Sequence, residues 1–116
     1  MQEVTIWHNP KCSKSRNALA LLEENNIQAN VVKYLENTLT KEEIKNILNL
    51  LEMNAKDLLR KGELIYSELN LSQIDDEDAL IQAMVENPIL IERPIIVKSN
   101  KAVIARPIEN LEDLLK

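Results

Sequence analysis

The stretch His8-Asn-Pro-Lys-Cys-Ser-Lys-Ser-Arg16 carries the only histidine and the only cysteine of a 116-residue chain, within five positions of each other. An ionised thiol is a nucleophile, a metal ligand or a redox group, and a nearby imidazole can add charge or move a proton. Lys11, Lys14 and Arg16 lie in the same stretch; positive charge there favours thiolate over thiol and attracts anions. Residue types alone leave two readings of Cys12 open, a reactive thiol or a small apolar side chain packed into a turn, since free cysteine is among the most buried residue types. His8 by itself is equally an ordinary histidine at a strand end, and Lys11 and Lys14 are by default solvated charges.

The arginines add a second kind of chemistry. There are four, Arg16, Arg60, Arg93 and Arg106, and the last two each precede a proline. A residue before proline is pushed toward extended backbone, as at a strand end. The planar, permanently charged guanidinium suits tetrahedral oxyanions better than an ammonium does. Several guanidinium groups converging on one thiol would make an oxyanion site, and convergence is a property that spacing in sequence does not reveal.

Composition removes several alternatives. One cysteine makes no internal disulfide, so redox chemistry has to borrow its second thiol from another molecule, and a reducing cytoplasm is the expected compartment. One Cys and one His are too few soft ligands for zinc, and no metal is expected. With Gly62 as the single glycine there is no Gly-rich phosphate loop. A Cys-x5-Arg phosphatase loop would need arginine at position 18, which is Ala18. A net charge of −5 argues against nucleic acid as a partner. No apolar run approaches the roughly 20 residues of a membrane span, and the N-terminus shows no signal-peptide pattern.

The elements that must position these residues follow from the patterning. At 116 residues and 45% hydrophobic the chain is expected to fold as one domain with its own core. Val4-Thr-Ile-Trp7 predicts a strand closed by Asn9-Pro10, followed by a helix from about Ser13 that stops at Asn25-Asn26. Val31-Val-Lys-Tyr34 predicts a second strand, completing a βαβ unit with parallel strands. Thr40-Lys-Glu-Glu43 reads as a capping box ahead of a stripe at Ile44, Ile47, Leu48 and Leu51. Asn54 is expected to cap a short helix through Arg60, and Asp75 another that stops before Pro88. Ile95–Val97 and Ala102–Ala105 predict a hairpin around Ser99-Asn-Lys101, and Asn110 starts a last short helix. The fold class expected is α/β and thioredoxin-like: a four-stranded mixed sheet, β-α-β then β-β-α, with a helical insertion over about residues 40–90. On this plan Cys12 sits where the first strand hands over to the first helix. Unpaired backbone N–H groups and the helix dipole there favour a thiolate.

His8-Asn-Pro-x-Cys12-x-x-Ser15-Arg16, Tyr34-Leu-Glu36, Leu58-Leu-Arg-Lys61, Asn87-Pro-Ile-Leu-Ile91, Arg93-Pro-Ile95 and Arg106-Pro107 together resemble the glutaredoxin-dependent arsenate reductases, and most closely the short branch of that family. The resemblance implies a thioredoxin-like fold with a helical insertion and a cis bond before Pro94. It implies that Cys12 is the nucleophile and that Arg60, Arg93 and Arg106 grip the arsenate oxygens. His8, Ser15 and Arg16 would assist the thiolate. It implies further that no cofactor is bound, and that glutathione and glutaredoxin supply the electrons. Two rival readings fit the same residues. The Cys12-Ser-Lys-Ser15 arrangement would also serve a glutathione-linked monothiol oxidoreductase acting on mixed disulfides. Superfamily members that bind RNA polymerase as regulators use a Cys-x-x-Cys switch, for which Ser15 lacks the second thiol.

Overall fold

The computed structural model describes residues 4–36, 39–105 and 108–115. The β-branched and aromatic run at the start forms β1 (Val4–Trp7) and the helix after it is α1 (Ser13–Glu24). β2 (Asn30–Val32) returns parallel to β1, with Trp7 opposite Val32. β3 (Ile95–Lys98) lies antiparallel on the other side of β1, and β4 (Lys101–Ile104) extends the sheet as a hairpin. The sheet order β2-β1-β3-β4, mixed in direction, is the thioredoxin-like arrangement.

The described residues group into two compact units, one drawn from 1–37 and 93–116, the other from 38–92. The first holds the sheet. Side chains alternate across a strand, and Val4 and Ile6 of β1 face the same side as Ile96. There they pack with Ala18 and Leu22 of α1 and with Leu111 of α6 (Glu109–Leu115). On the opposite face Trp7 and Ile95 are buried, and the Trp7 ring lies 6.4 Å from that of Tyr34.

The second unit is helical: α2 (Lys41–Leu51), α3 (Ala55–Leu58), α4 (Leu64–Glu68) and α5 (Glu77–Glu86), with single 3₁₀ turns at Leu71–Gln73 and Pro88–Leu90. The capping box at Thr40 is formed in both directions, and Ile44, Ile47 and Leu48 are the buried stripe of α2.

Several boundaries depart from the patterning for physical reasons. β2 stops at Val32 because its partner β1 ends opposite it at Trp7; Tyr34 falls in a turn and is fully buried. α3 ends at Leu58, two residues short of Arg60, because Leu59 becomes extended and bridges Ile91. That short clasp also joins the Arg60 amide to the Leu90 carbonyl at 2.7 Å and the Glu92 amide to the Leu58 carbonyl at 2.9 Å. α5 is capped by Asp76, whose carboxylate accepts from the Asp78 amide, while Asp75 pairs with Lys56. α4 buries no residue and so left no apolar stripe to read. α6 begins at Glu109, and Asn110 Nδ2 donates to the Ile104 carbonyl at 3.0 Å.

Candidate active site

The loop between β1 and α1 is built by hydrogen bonds among its own residues. The His8 amide donates to the Val32 carbonyl at 2.8 Å, continuing the ladder one step past β1. Asn9 then turns the chain. Its side-chain Oδ1 accepts from the Lys11 amide and its main-chain carbonyl from the Cys12 amide, each at 3.0 Å, while its own amide donates to Ser15 Oγ at 3.0 Å. Cys12 lands at the N-cap of α1 with extended backbone, φ −97° and ψ 121°.

The Cys12 side chain is nearly enclosed, 9% exposed. Burial pushes its thiol pKa up. The Arg93 guanidinium, hydrogen-bonded to the sulfur, pulls it down, as do the backbone N–H groups of Ser15 and Lys14 and the charge of Arg93. The lowering contributions prevail, so the thiol ionises below its ordinary value.

Arg93 reaches the sulfur from the segment leading into β3. The Arg93–Pro94 peptide bond is cis, Pro94 is buried, and its carbonyl accepts from the Ala105 amide at 2.9 Å. His8 and Ser15 are buried together, with His8 Nδ1 and Ser15 Oγ at 2.6 Å. Burial, and then the charges of Lys33 and Arg16, hold the His8 pKa below its usual value. The ring is therefore neutral near pH 7, and it does not supply the positive charge that its proximity to Cys12 in sequence suggested. Arg16 is exposed and donates from Nη1 to the Pro10 carbonyl at 2.8 Å. Lys11 and Lys14 are exposed as well, and it is the Lys14 amide that lowers the Cys12 pKa.

Arg60 belongs to the second unit. Its guanidinium lies 3.7 Å from Glu63 and 3.8 Å from Glu92, and Nη1 is buried with no hydrogen-bond partner among the described residues. Arg106 lies outside the described residues. In the sequence, Asn9-Pro10 reads only as a turn. The signal present was the turn propensity of Asn before Pro, which does not disclose which amides the side chain serves.

A family model described as the ArsC family matches residues 7–114, a span that includes Cys12, Arg60, Arg93 and Arg106. The chain belongs to the ArsC family. An arsenate reductase of Neisseria meningitidis serogroup A is 46% identical to this ArsC-family chain, covering 99% of it and 100% of the relative. The Escherichia coli K12 protein YfgD is 47% identical, covering 98% of each. The solved structure of an arsenate reductase from Vibrio cholerae superposes with a TM-score of 0.93 at 46% identity, covering 97% of both chains.

Proposed function

We propose that this ArsC-family chain reduces arsenate to arsenite through a Cys12 thiolate, with glutathione and glutaredoxin as the electron donors. The observation that carries the reading is the Arg93 guanidinium on the Cys12 sulfur. A planar fork that holds a thiolate is also suited to grip the oxygens of the tetrahedral anion which that thiolate attacks. Relatives named as arsenate reductases at 46% identity over essentially the whole chain support the choice of anion.

The Cys12 sulfur attacks arsenic, an oxygen leaves as water after protonation, and a Cys–S–As(V) adduct forms, with Arg93 offsetting charge on the remaining oxygens. The resemblance assigns Arg60 and Arg106 to those oxygens too. The chain has no second cysteine, so the thiol of glutathione displaces a second oxygen as water and forms a bond from its sulfur to arsenic. A glutaredoxin thiolate then attacks the glutathione sulfur. The S–As electron pair passes to arsenic, which falls from As(V) to As(III), while the two attacking sulfurs become a mixed disulfide. Water releases arsenite and returns the Cys12 thiol. These reductants are those of a reducing cytoplasm, where we place the reaction.

The test is NADPH oxidation coupled through glutathione reductase, glutathione and glutaredoxin, with and without arsenate. Arsenate-dependent turnover is expected in the native chain and none in Cys12→Ser. Arg60→Lys and Arg106→Lys should each raise KM for arsenate. Turnover that ignores arsenate but consumes a glutathionylated disulfide would replace this reading with the monothiol oxidoreductase.

A further inference from the structure

Three backbone amides in the loop before α1 have partners within the loop and the first turn of α1. The Lys11 and Cys12 amides are both taken by Asn9, through its side-chain and main-chain carbonyls, and the Asn9 amide is taken by Ser15 Oγ. Neither the Lys11 nor the Cys12 amide is then left to serve the sulfur. The amides that do serve it are those of Lys14 and Ser15, within the first turn of α1. Ser15 takes part in both arrangements. Its hydroxyl holds the Asn9 amide and meets His8 Nδ1, and its own amide addresses the sulfur.

We propose that Asn9 is a positioning residue for Cys12: its side-chain carbonyl ties the Lys11 amide, closes the turn, and so sets the sulfur over the Lys14 and Ser15 amides and against Arg93. The inference rests on Cys12 being the reacting group. Asn9 is 6% exposed, and its Oδ1 bond to Lys11 is a partly buried side-chain link in the loop that substitution can remove while leaving Ser15, His8 and Arg93 in place; the other, from Arg16 to the Pro10 carbonyl, is exposed. Without that acceptor the Lys11 amide would be left in a partly buried loop with nothing but water to satisfy it, and the turn would lose the bond that limits its conformations. The sulfur would then spend less time within reach of the two helix amides and the guanidinium, and less of it would be ionised at neutral pH. The Asn9 hydrogen bonds described above go to the Lys11 and Cys12 amides and to Ser15 Oγ, so its effect is expressed through the placing of the thiol.

The experiment compares the native chain with Asn9→Ala and Asn9→Ser by the pH dependence of Cys12 alkylation with iodoacetamide, without arsenate, alongside thermal melts. In Asn9→Ala the alkylation profile should move to higher pH, with about tenfold less thiolate for each unit of displacement at pH values below both midpoints. Asn9→Ser returns a short oxygen acceptor to the turn and should recover part of that loss. A native profile in folded Asn9→Ala would overturn the assignment. A serine variant displaced as far as alanine would do the same; if the alanine variant does not fold, a profile displaced to higher pH in folded Asn9→Ser supports the assignment and a native profile in it overturns it. Because no arsenate is present, failure here is separate from failure of the reductase reading, which the coupled assay decides.

Discussion

At the Cys12 sulfur, burial and hydrogen bonding oppose each other. Enclosure disfavours the anion, whereas the Arg93 guanidinium and two helix amides favour it and win. Arg93 is the largest of the lowering contributions, and geometry as well as charge matters to it. A lysine would keep the charge but lose the planar fork. Arg93→Lys should therefore slow Cys12 alkylation at neutral pH and lower kcat/KM for arsenate by a larger factor, since the fork is lost to thiolate and oxyanion alike. Equal kinetics for the two chains would remove Arg93 from the site. His8 makes a different kind of prediction. Its pKa is lowered in the folded chain, so the unfolded chain binds the proton at higher pH than the folded one. The stability this contributes is complete above about pH 6.5, the ordinary value, and is lost as pH falls through the lower folded value. Denaturant midpoints measured between about pH 7.5 and about pH 5 should drop more steeply for the native chain than for His8→Gln.

Among the elements, the ends of helices and strands carry the information that patterning alone reads least well. The β3–β4 hairpin places Ser99 in the left-handed region, φ 56°, where a Cβ is unfavourable. Ser99→Gly should raise stability by about 0.5–1 kcal/mol, read as a higher denaturant midpoint, because it removes that penalty in a tight two-residue turn. An unchanged or lower midpoint would show that the gain in unfolded-chain freedom outweighs it. The capping box at Thr40 and the stripe beyond it were legible because their signals are local. The end of α3 was not, because the Leu59–Ile91 bridge that ends it joins residues distant in the chain. Arg60 consequently sits just past that bridge, beside Glu63 and Glu92, not on a helix.

For the molecule as a whole, the first unit is assembled from both ends of the sequence. Its core joins Val4 and Ile6 to Ile96, Ala105 and Leu111, so α6 is part of what holds the sheet against α1. Leu111 is fully buried, and Leu111→Ala should cost about 2–5 kcal/mol, measured by urea unfolding. A loss below 1 kcal/mol would mean that α6 contributes little to this core. The net charge of −5 repels an oxyanion at a distance. On the proposed reaction, attraction would come from guanidinium groups at short range, where solvent and salt screen least. No helix among the described residues is long and apolar enough to cross a membrane.

The order of strands and helices, the capping box, and the place of Cys12 where β1 gives way to α1 followed from the chain alone, because periodicity, caps and turn residues act over a few neighbours. Which charges reach the sulfur did not follow. Lys11, Lys14 and Arg16 are near Cys12 in sequence, yet among the described residues it is the guanidinium of Arg93 that reaches it, some eighty residues away and brought there by the antiparallel pairing of β3 with β1. The neutrality of His8 likewise depends on burial against Ser15. Electrostatic and hydrogen-bond energies depend on distance in space and on exclusion of water, and both are set only when the sheet is assembled.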